Sequence, residues 1–146
     1  MNMLHLHNIS IEHQYDVISF EFDTTRTRIW TSVQEFLLKH ASENHMNPKR
    51  LLDVGIGNGK NVLFANNHNY ECIGIDISNN LLDICRKKSI NVLKKDVLDL
   101  NASFGTFDTI ISIAVIHHLE NTSIQKQAIL NMIDCLKTGG HILISV

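Results

Sequence analysis

Leu51-Leu52-Asp53-Val54-Gly55-Ile56-Gly57-Asn58-Gly59-Lys60 is the stretch whose reading decides the fold. Leu51, Leu52 and Val54 are the apolar residues of a buried strand. Gly55, Gly57 and Gly59 then mark a backbone that turns sharply and lets something approach closely, and the chain becomes polar as a helix begins. The spacing separates two ways of holding phosphate. In the dinucleotide fingerprint G-x-G-x-x-G the helix amides aim at a pyrophosphate, whereas here the third glycine arrives one residue early and an acid, Asp53, precedes the first. Gly59-Lys60-Asn61 also lacks the Ser or Thr that completes a P-loop.

The second half of the argument lies in Glu71-Cys72-Ile73-Gly74-Ile75-Asp76. Cys72 to Ile75 form another apolar run, ending in an acid at the distance from the glycines where a Rossmann-like unit binds ribose hydroxyls. A glycine triplet alone can be a tight turn; with Asp76 at this position it implies a nucleoside ligand held without a pyrophosphate.

These residues resemble the class I S-adenosylmethionine-dependent methyltransferases. Their first motif is similar to Asp53-Val54-Gly55-Ile56-Gly57-Asn58-Gly59 and their second to Gly74-Ile75-Asp76-Ile77-Ser78. The resemblance runs over most of the chain. It implies S-adenosyl-L-methionine as cofactor, bound by Asp53, Gly55, Gly57, Gly59, Asp76 and Ile77. It further implies Asp96 and Val97 beside the adenine, with Ile113 and Ala114 lining the reactive face. Taken by itself, Asp96 can also be a solvated loop acid next to Lys94 and Lys95.

With 146 residues, 44% of them hydrophobic, and a formal charge of −2, the chain has material for one domain and one core. The near-neutral balance provides no global attraction for polyanions, so a nucleic-acid partner needs local basic patches or another subunit. Cys72, Cys85 and Cys135 are odd in number and lack C-x-x-C spacing, as expected of buried thiols in a reducing compartment. His5, His7 and His13 have no cysteine or acid cluster to complete a metal site. Met1 to Ser10 show neither a cationic leader nor a long apolar core, and no window has the apolar length of a membrane span. A cytoplasmic protein is expected, with the nucleus also open.

From Thr25 onward Ile29, Trp30, Val33, Phe36, Leu37 and Ala41 recur at helical spacing, predicting an amphipathic helix that ends before Asn47-Pro48, with Trp30 in its core stripe. Residues 1–48 then form an N-terminal cap on a core from about residue 49 to 146. That core alternates: strand near 50–54, helix near 59–67, strand near 71–76, helix near 79–89, strand near 90–94, and a buried strand over Phe107 to Ile113. Thr122 with Gln125 predicts a capping box for a helix reaching about Lys137, stopped by Gly139 and Gly140, with strand again over His141 to Val146. The expectation is an α/β, Rossmann-like, doubly wound parallel sheet of order 3-2-1-4-5. It lacks the last two strands of the resembled fold, which leaves Ile142, Leu143, Ile144 and Val146 on an exposed apolar edge open to self-association or to a second chain.

Two stretches narrow the resemblance: Ser112-Ile113-Ala114-Val115-Ile116-His117-His118-Leu119, and the pattern of Tyr15, Ile18, Phe22, Thr25, Arg26 and Trp30. Both look like the eukaryotic tRNA methyltransferases that esterify 5-carboxymethyluridine at the wobble position, including the methyltransferase domain of the AlkB-related tRNA hydroxylase. The resemblance implies a tRNA substrate and a small zinc-binding activator subunit. His117 and His118 follow the fourth strand at its carboxyl end, where an acceptor faces the sulfonium, and Arg26 is a cation at a helix start, suited to anion binding. These three are the candidate catalytic residues. A small-molecule methyltransferase of the same fold, or a non-catalytic cofactor-binding subunit, stays open beside this reading.

Overall fold

The alternation of apolar runs and amphipathic segments becomes, in the computed structural model, a parallel sheet with helices packed on it; the structure describes residues 28–146. Helix α1 (Thr31–His40) leads into β1 (Lys49–Val54), α2 (Lys60–Asn66), β2 (Tyr70–Asp76), α3 (Asn79–Lys87) and β3 (Val92–Lys94). Two 3-10 turns, Val97–Asp99 and Ala102–Phe104, precede β4 (Phe107–Ile113). A third, Ile116–His118, then leads to α4 (Thr122–Asp134) and β5 (Leu136–Ser145). The strand order is β3-β2-β1-β4-β5, with every pairing parallel. The chain therefore reverses its direction of winding between β1 and β4, the place where open α/β sheets bind ligands.

Neighbouring residues in each central strand feed opposite faces. Leu51 and Ile111 join Val33 and Leu37 of α1 and Val62 and Ala65 of α2, while Leu52 and Ile110 join Ala128 and Met132 of α4. This two-sided burial is why the strands read as nearly continuous apolar runs, each buried Leu or Ile contributing about 1.5–3 kcal/mol. Tyr70 is anchored in the same core by donating its hydroxyl to the Leu37 carbonyl at 2.8 Å.

Four local expectations are corrected. Trp30 is 43% exposed; it stands before the first turn of α1 in an extended conformation, where the helical period no longer sets its direction. The cap of α4 is Asn121, whose Oδ1 accepts from the Ile124 amide at 3.0 Å, and Gln125 instead donates to the Leu119 carbonyl, so Thr122 and Gln125 form no capping box. Helix α4 ends at Asp134, and Gly139 and Gly140 lie inside β5. Phe107 pairs with Leu136 but Thr109 pairs with His141, so the glycines absorb an irregularity in register, Gly139 at φ +78° and Gly140 where a Cβ would lie 2.9 Å from the Asp108 carbonyl. Finally, β3 begins at Val92 rather than at residue 90.

Cys85 and Cys135 are buried and Cys72 is half-buried, all as free thiols. Burial pushes the Cys72 thiol up to about 12. Among the described residues no cluster of His, Cys, Asp or Glu could hold a metal, and no helix is long and apolar enough to cross a membrane. His5, His7 and His13 lie outside the described residues. Strand β5 has β4 as its neighbour on one side; Leu143 packs on one core cluster and Ile142 and Ile144 on the other, so their side chains are half-covered while Val146 is exposed.

Candidate functional site

At the carboxyl end of β1 the chain turns through Gly55, Gly57 and Gly59, all left-handed at φ +72°, +57° and +82°. The amides of Gly55 and Ile56 both donate to the Ile75 carbonyl, at 2.8 and 3.0 Å, which ties the turn to the end of β2. A Cβ on Gly55 would collide with the methyls of Val115, and one on Gly59 with Ile90. Gly55 and Gly59 are thus required both by backbone angle and by close approach, and Gly57 by its backbone angle.

Asp76 ends β2 and is 8% exposed. Its Oδ2 accepts from the Gly57 amide and its Oδ1 from the Ser78 amide, both at 3.0 Å. Each carboxylate oxygen has a second lone pair, so Asp76 can fix the turn and still receive hydroxyl donors. Ile77 beside it is half-buried.

Asp53 is 1% exposed, and its Oδ2 has no hydrogen-bond partner. Burial, and secondarily the charge of Asp76, push its carboxyl from 3.8 up to about 8, against an opposing pull from Lys60. An orphaned carboxyl oxygen at a strand end next to a glycine turn is suited to a cationic ligand group. Asp96 caps the turn Val97–Asp99 by accepting from the Leu98 amide at 2.9 Å, and Val97 is buried. The Asn131 amide donates to the carbonyls of Val97 and Leu98 at 3.2 and 2.9 Å, pinning this loop to α4.

At the end of β4 Ile113 is half-buried, and just beyond it Ala114 adopts φ +58°, its amide donating to the Ser145 carbonyl at 2.8 Å. A left-handed alanine is uncommon, and here it swings Val115 over Gly55, so the segment 112–119 is packed directly on the glycine turn. Ile116 is buried and holds a 3-10 turn on which His117 and His118 stand exposed, their ring centroids 4.0 Å apart. Asp53, the glycines, Asp76, Ile113, Ala114 and the histidine turn are all gathered at the carboxyl ends of the central strands. Arg26, with Thr25, lies outside the described residues. Ala114 and Val115 matter through backbone angle and contact rather than through polar chemistry; no residue-type signal marks Val115.

Residues 51–140 match the methyltransferase domain family. The chain is 38% identical over 138 residues to the tRNA (carboxymethyluridine(34)-5-O)-methyltransferase of Arabidopsis thaliana, covering 93% of this chain and 32% of that protein. The chain spans a third or less of the length of the first curated relatives it matches. The fold is shared with the N-methyltransferase NodS of Bradyrhizobium japonicum, solved in complex with S-adenosyl-L-homocysteine, at TM-score 0.73 and 20% identity over 91% of this chain and 71% of that one. It is also shared with a chain of the complex between the Haloferax volcanii Trm112 methyltransferase activator and a putative methyltransferase, at TM-score 0.74 and 15% identity, covering 92% and 58%. The chain belongs to the methyltransferase domain family.

Proposed function

We propose that this class I methyltransferase domain transfers a methyl group to the carboxymethyl group of a wobble uridine in tRNA. The observation that carries the reading is the packing of the segment 112–119 on the glycine turn through Val115 and Gly55, which sets His117 and His118 beside the cofactor end of the sheet. The likeness to the Arabidopsis enzyme supports the same substrate.

The residues present fit the cofactor: a cradle of left-handed glycines, a buried acid with an orphaned oxygen, and a second acid at the end of β2. Bound S-adenosylmethionine supplies an electrophilic methyl on a sulfonium. Asp76 would take the ribose hydroxyls, Asp53 the ammonium of the amino-acid part, and Asp96 with Val97 the adenine edge. Gly55, Gly57 and Gly59 would admit the ligand close to the backbone, with Ile77 beside Asp76. Ile113 and Ala114 would line the reactive face. His117 or His118, with Arg26, would orient the substrate carboxylate through charge-assisted hydrogen bonds. A carboxylate with a pKa near 4 is ionised at neutral pH, so the site needs alignment rather than a strong base.

The partners in this reading are tRNA and a small zinc-binding activator subunit, and a methyltransferase of the same fold has been solved with the Trm112 methyltransferase activator; the compartment in this reading is the cytoplasm or nucleus. The test is methyl incorporation from labelled cofactor into bulk tRNA, with and without activator, followed by nucleoside analysis. Label in the methyl ester of 5-carboxymethyluridine is expected. Methylation of small acids with carboxymethyluridine ignored would replace the reading by a small-molecule enzyme, and cofactor binding without transfer to either would replace it by a non-catalytic subunit.

A further inference from the structure

Five cations fall between residues 86 and 95: Arg86, Lys87, Lys88, Lys94 and Lys95. In sequence this is a charge run of the kind that usually forms a solvated face or a polyanion contact. The structure gives several of them internal work. Arg86 bonds Asp83 at 2.7 Å on the same exposed helix face, and the Lys95 ammonium lies 5.5 Å from the Phe104 ring centroid. Lys88 reaches far back in sequence: its ammonium donates to the carbonyl of Asn58, in the middle of the glycine turn, at 3.0 Å.

That bond belongs to a set. The thiol of Cys85 donates to the Gly57 carbonyl at 3.2 Å, the Gly59 amide donates to the Ile56 carbonyl at 3.1 Å, and the Leu63 amide to the Gly59 carbonyl at 3.0 Å. Each carbonyl from Ile56 to Gly59 is thereby held by a donor within the protein. Two of those donors, Cys85 and Lys88, come from the last turn of α3 and its C-cap. Ile90, just beyond, fills the space a Cβ on Gly59 would need. The other end of α3 starts at Ser78, whose amide bonds Asp76 and whose hydroxyl accepts from the Leu81 amide at 3.2 Å. One short helix therefore spans from the ribose acid at its beginning to the glycine turn at its end.

We propose that Lys88 is a positioning residue of the cofactor site, whose ammonium holds the Asn58 carbonyl and with it the left-handed path of the glycine turn; the proposal deepens the cofactor reading above and rests on it. Lys88 touches no cofactor atom in this role. It acts through the turn, with Cys85 as a second, weaker donor from the same helix end, since thiols are poor donors. An ammonium is suited to the task because its bond to a carbonyl is charge-assisted and its long stem lets it come from a solvent-exposed helix end.

The experiment uses the full chain, with S-adenosyl-L-homocysteine as the probe in calorimetry and hydrogen exchange of the backbone amides without ligand. Lys88→Met is expected to weaken binding about tenfold, Lys88→Arg to return it to within about twofold, and Lys87→Met to leave it unchanged. Exchange at amides 57–59 should quicken in Lys88→Met while amides 51–54 of β1 keep wild-type protection. Equal affinity of Lys88→Met and wild type, or equal loss in Lys88→Met and Lys88→Arg, would overturn the proposal. So would a Lys88→Met protein whose β1 amides exchange as fast as the turn, which would show the lysine holding the fold as a whole. A wild-type chain that does not bind the probe at all would sink the cofactor reading, while the exchange comparison would still report whether Lys88 holds the turn.

Discussion

In the proposed site, burial of Asp53 should make cofactor binding a proton-releasing event. The carboxyl, 1% exposed with Oδ2 unpartnered, stands at about 8 against 3.8 for an ordinary aspartate, with burial the main cause and Asp76 the second. An ionised Asp53 in the free protein therefore costs about 6 kcal/mol relative to the same group in water, so it holds its proton at neutral pH. At pH 7 a group titrating at about 8 is about nine-tenths protonated. The ammonium of the cofactor, placed at the orphaned oxygen, would return the carboxyl to its ordinary range; about 0.9 proton would leave Asp53 per ligand bound, less the ~0.1–0.2 proton that the ligand's α-amino group takes up at pH 7, a net release of about 0.7–0.8. Affinity should rise by up to about tenfold per pH unit from 6 towards 8, then fall as the ligand's own α-amino group, with an ordinary pKa near 7.7–8.0, loses its charge.

The assay is calorimetry of S-adenosyl-L-homocysteine binding at pH 7 in buffers of different ionisation enthalpy, repeated with Asp53→Asn. The asparagine keeps the shape and carries no titrating proton, so proton release and the rise in affinity from pH 6 to 8 should both vanish, leaving only the fall set by the ligand's α-amino group. Stability without ligand has a sign of its own. A carboxyl whose native pKa stands above its unfolded value takes up a proton on folding, so its contribution is most favourable below pH 4 and declines up to about pH 8, beyond which it is constant. Between pH 6 and 8 wild type should lose stability relative to Asp53→Asn. Release below about 0.2 proton at pH 7, or the same release in Asp53→Asn, would refute the reasoning.

Asp76→Ala removes the acceptor for the Gly57 and Ser78 amides as well as for ribose hydroxyls, and should weaken S-adenosyl-L-homocysteine binding by about 1.5–3 kcal/mol in calorimetry. Gly55→Ala meets both a left-handed backbone and the Val115 methyls, and should destabilise the fold by about 1–3 kcal/mol in chemical denaturation; Val115→Ala in the same chain should recover the steric part and leave the backbone part. Arg26→Ala and His117→Ala should lower turnover on tRNA about tenfold or more with cofactor affinity unchanged, and raising pH from 7 to 9 should not restore it, because the carboxylate nucleophile is ionised throughout. At high protein concentration, light scattering should show association through the edge of β5 that no described strand pairs with, abolished by proline at Ile144, whose amide alternates with the β4-facing Ser145 and points outward, and a monodisperse wild type would show that edge to be covered.

The sheet order was legible because parallel strands are buried on both faces, and paired apolar residues such as Leu51-Leu52 and Ile110-Ile111 record that double burial directly. The ends of elements were not, since a cap is decided by one hydrogen bond. Asn121 and Thr122 both offer side-chain oxygens before the same apolar stretch, and only the path out of Leu119 puts the Asn121 oxygen on the Ile124 amide. Gly139 and Gly140 show a second kind of ambiguity. After a helical segment they read as a stop signal, but Cys135 already ends the helix by its own backbone bonds, and the glycines instead let β5 slip in register against β4.

The site shows where such reading ends in physical terms. Glycines and an acid at strand ends announce themselves, so Gly55 and Asp76 could be named from spacing, while Asp53 entered as a binding residue only through the methyltransferase resemblance. What sets their behaviour comes from elsewhere: Asp53 is driven upward by burial and by Asp76, Gly55 is made irreplaceable by Val115, and the Asn58 carbonyl is held by Lys88. None of these pairs has a local pattern, because the contact exists only once α3 and the segment after β4 have closed on the turn. Ala114 is the sharpest case. Its chemistry is inert, yet its left-handed φ directs Val115 onto Gly55 and the two histidines beyond it toward the carboxyl ends of the strands. The sequence pattern 112–119 thus reads as a histidine motif, while the structure makes it a backbone bend whose histidines take their place from a strained alanine.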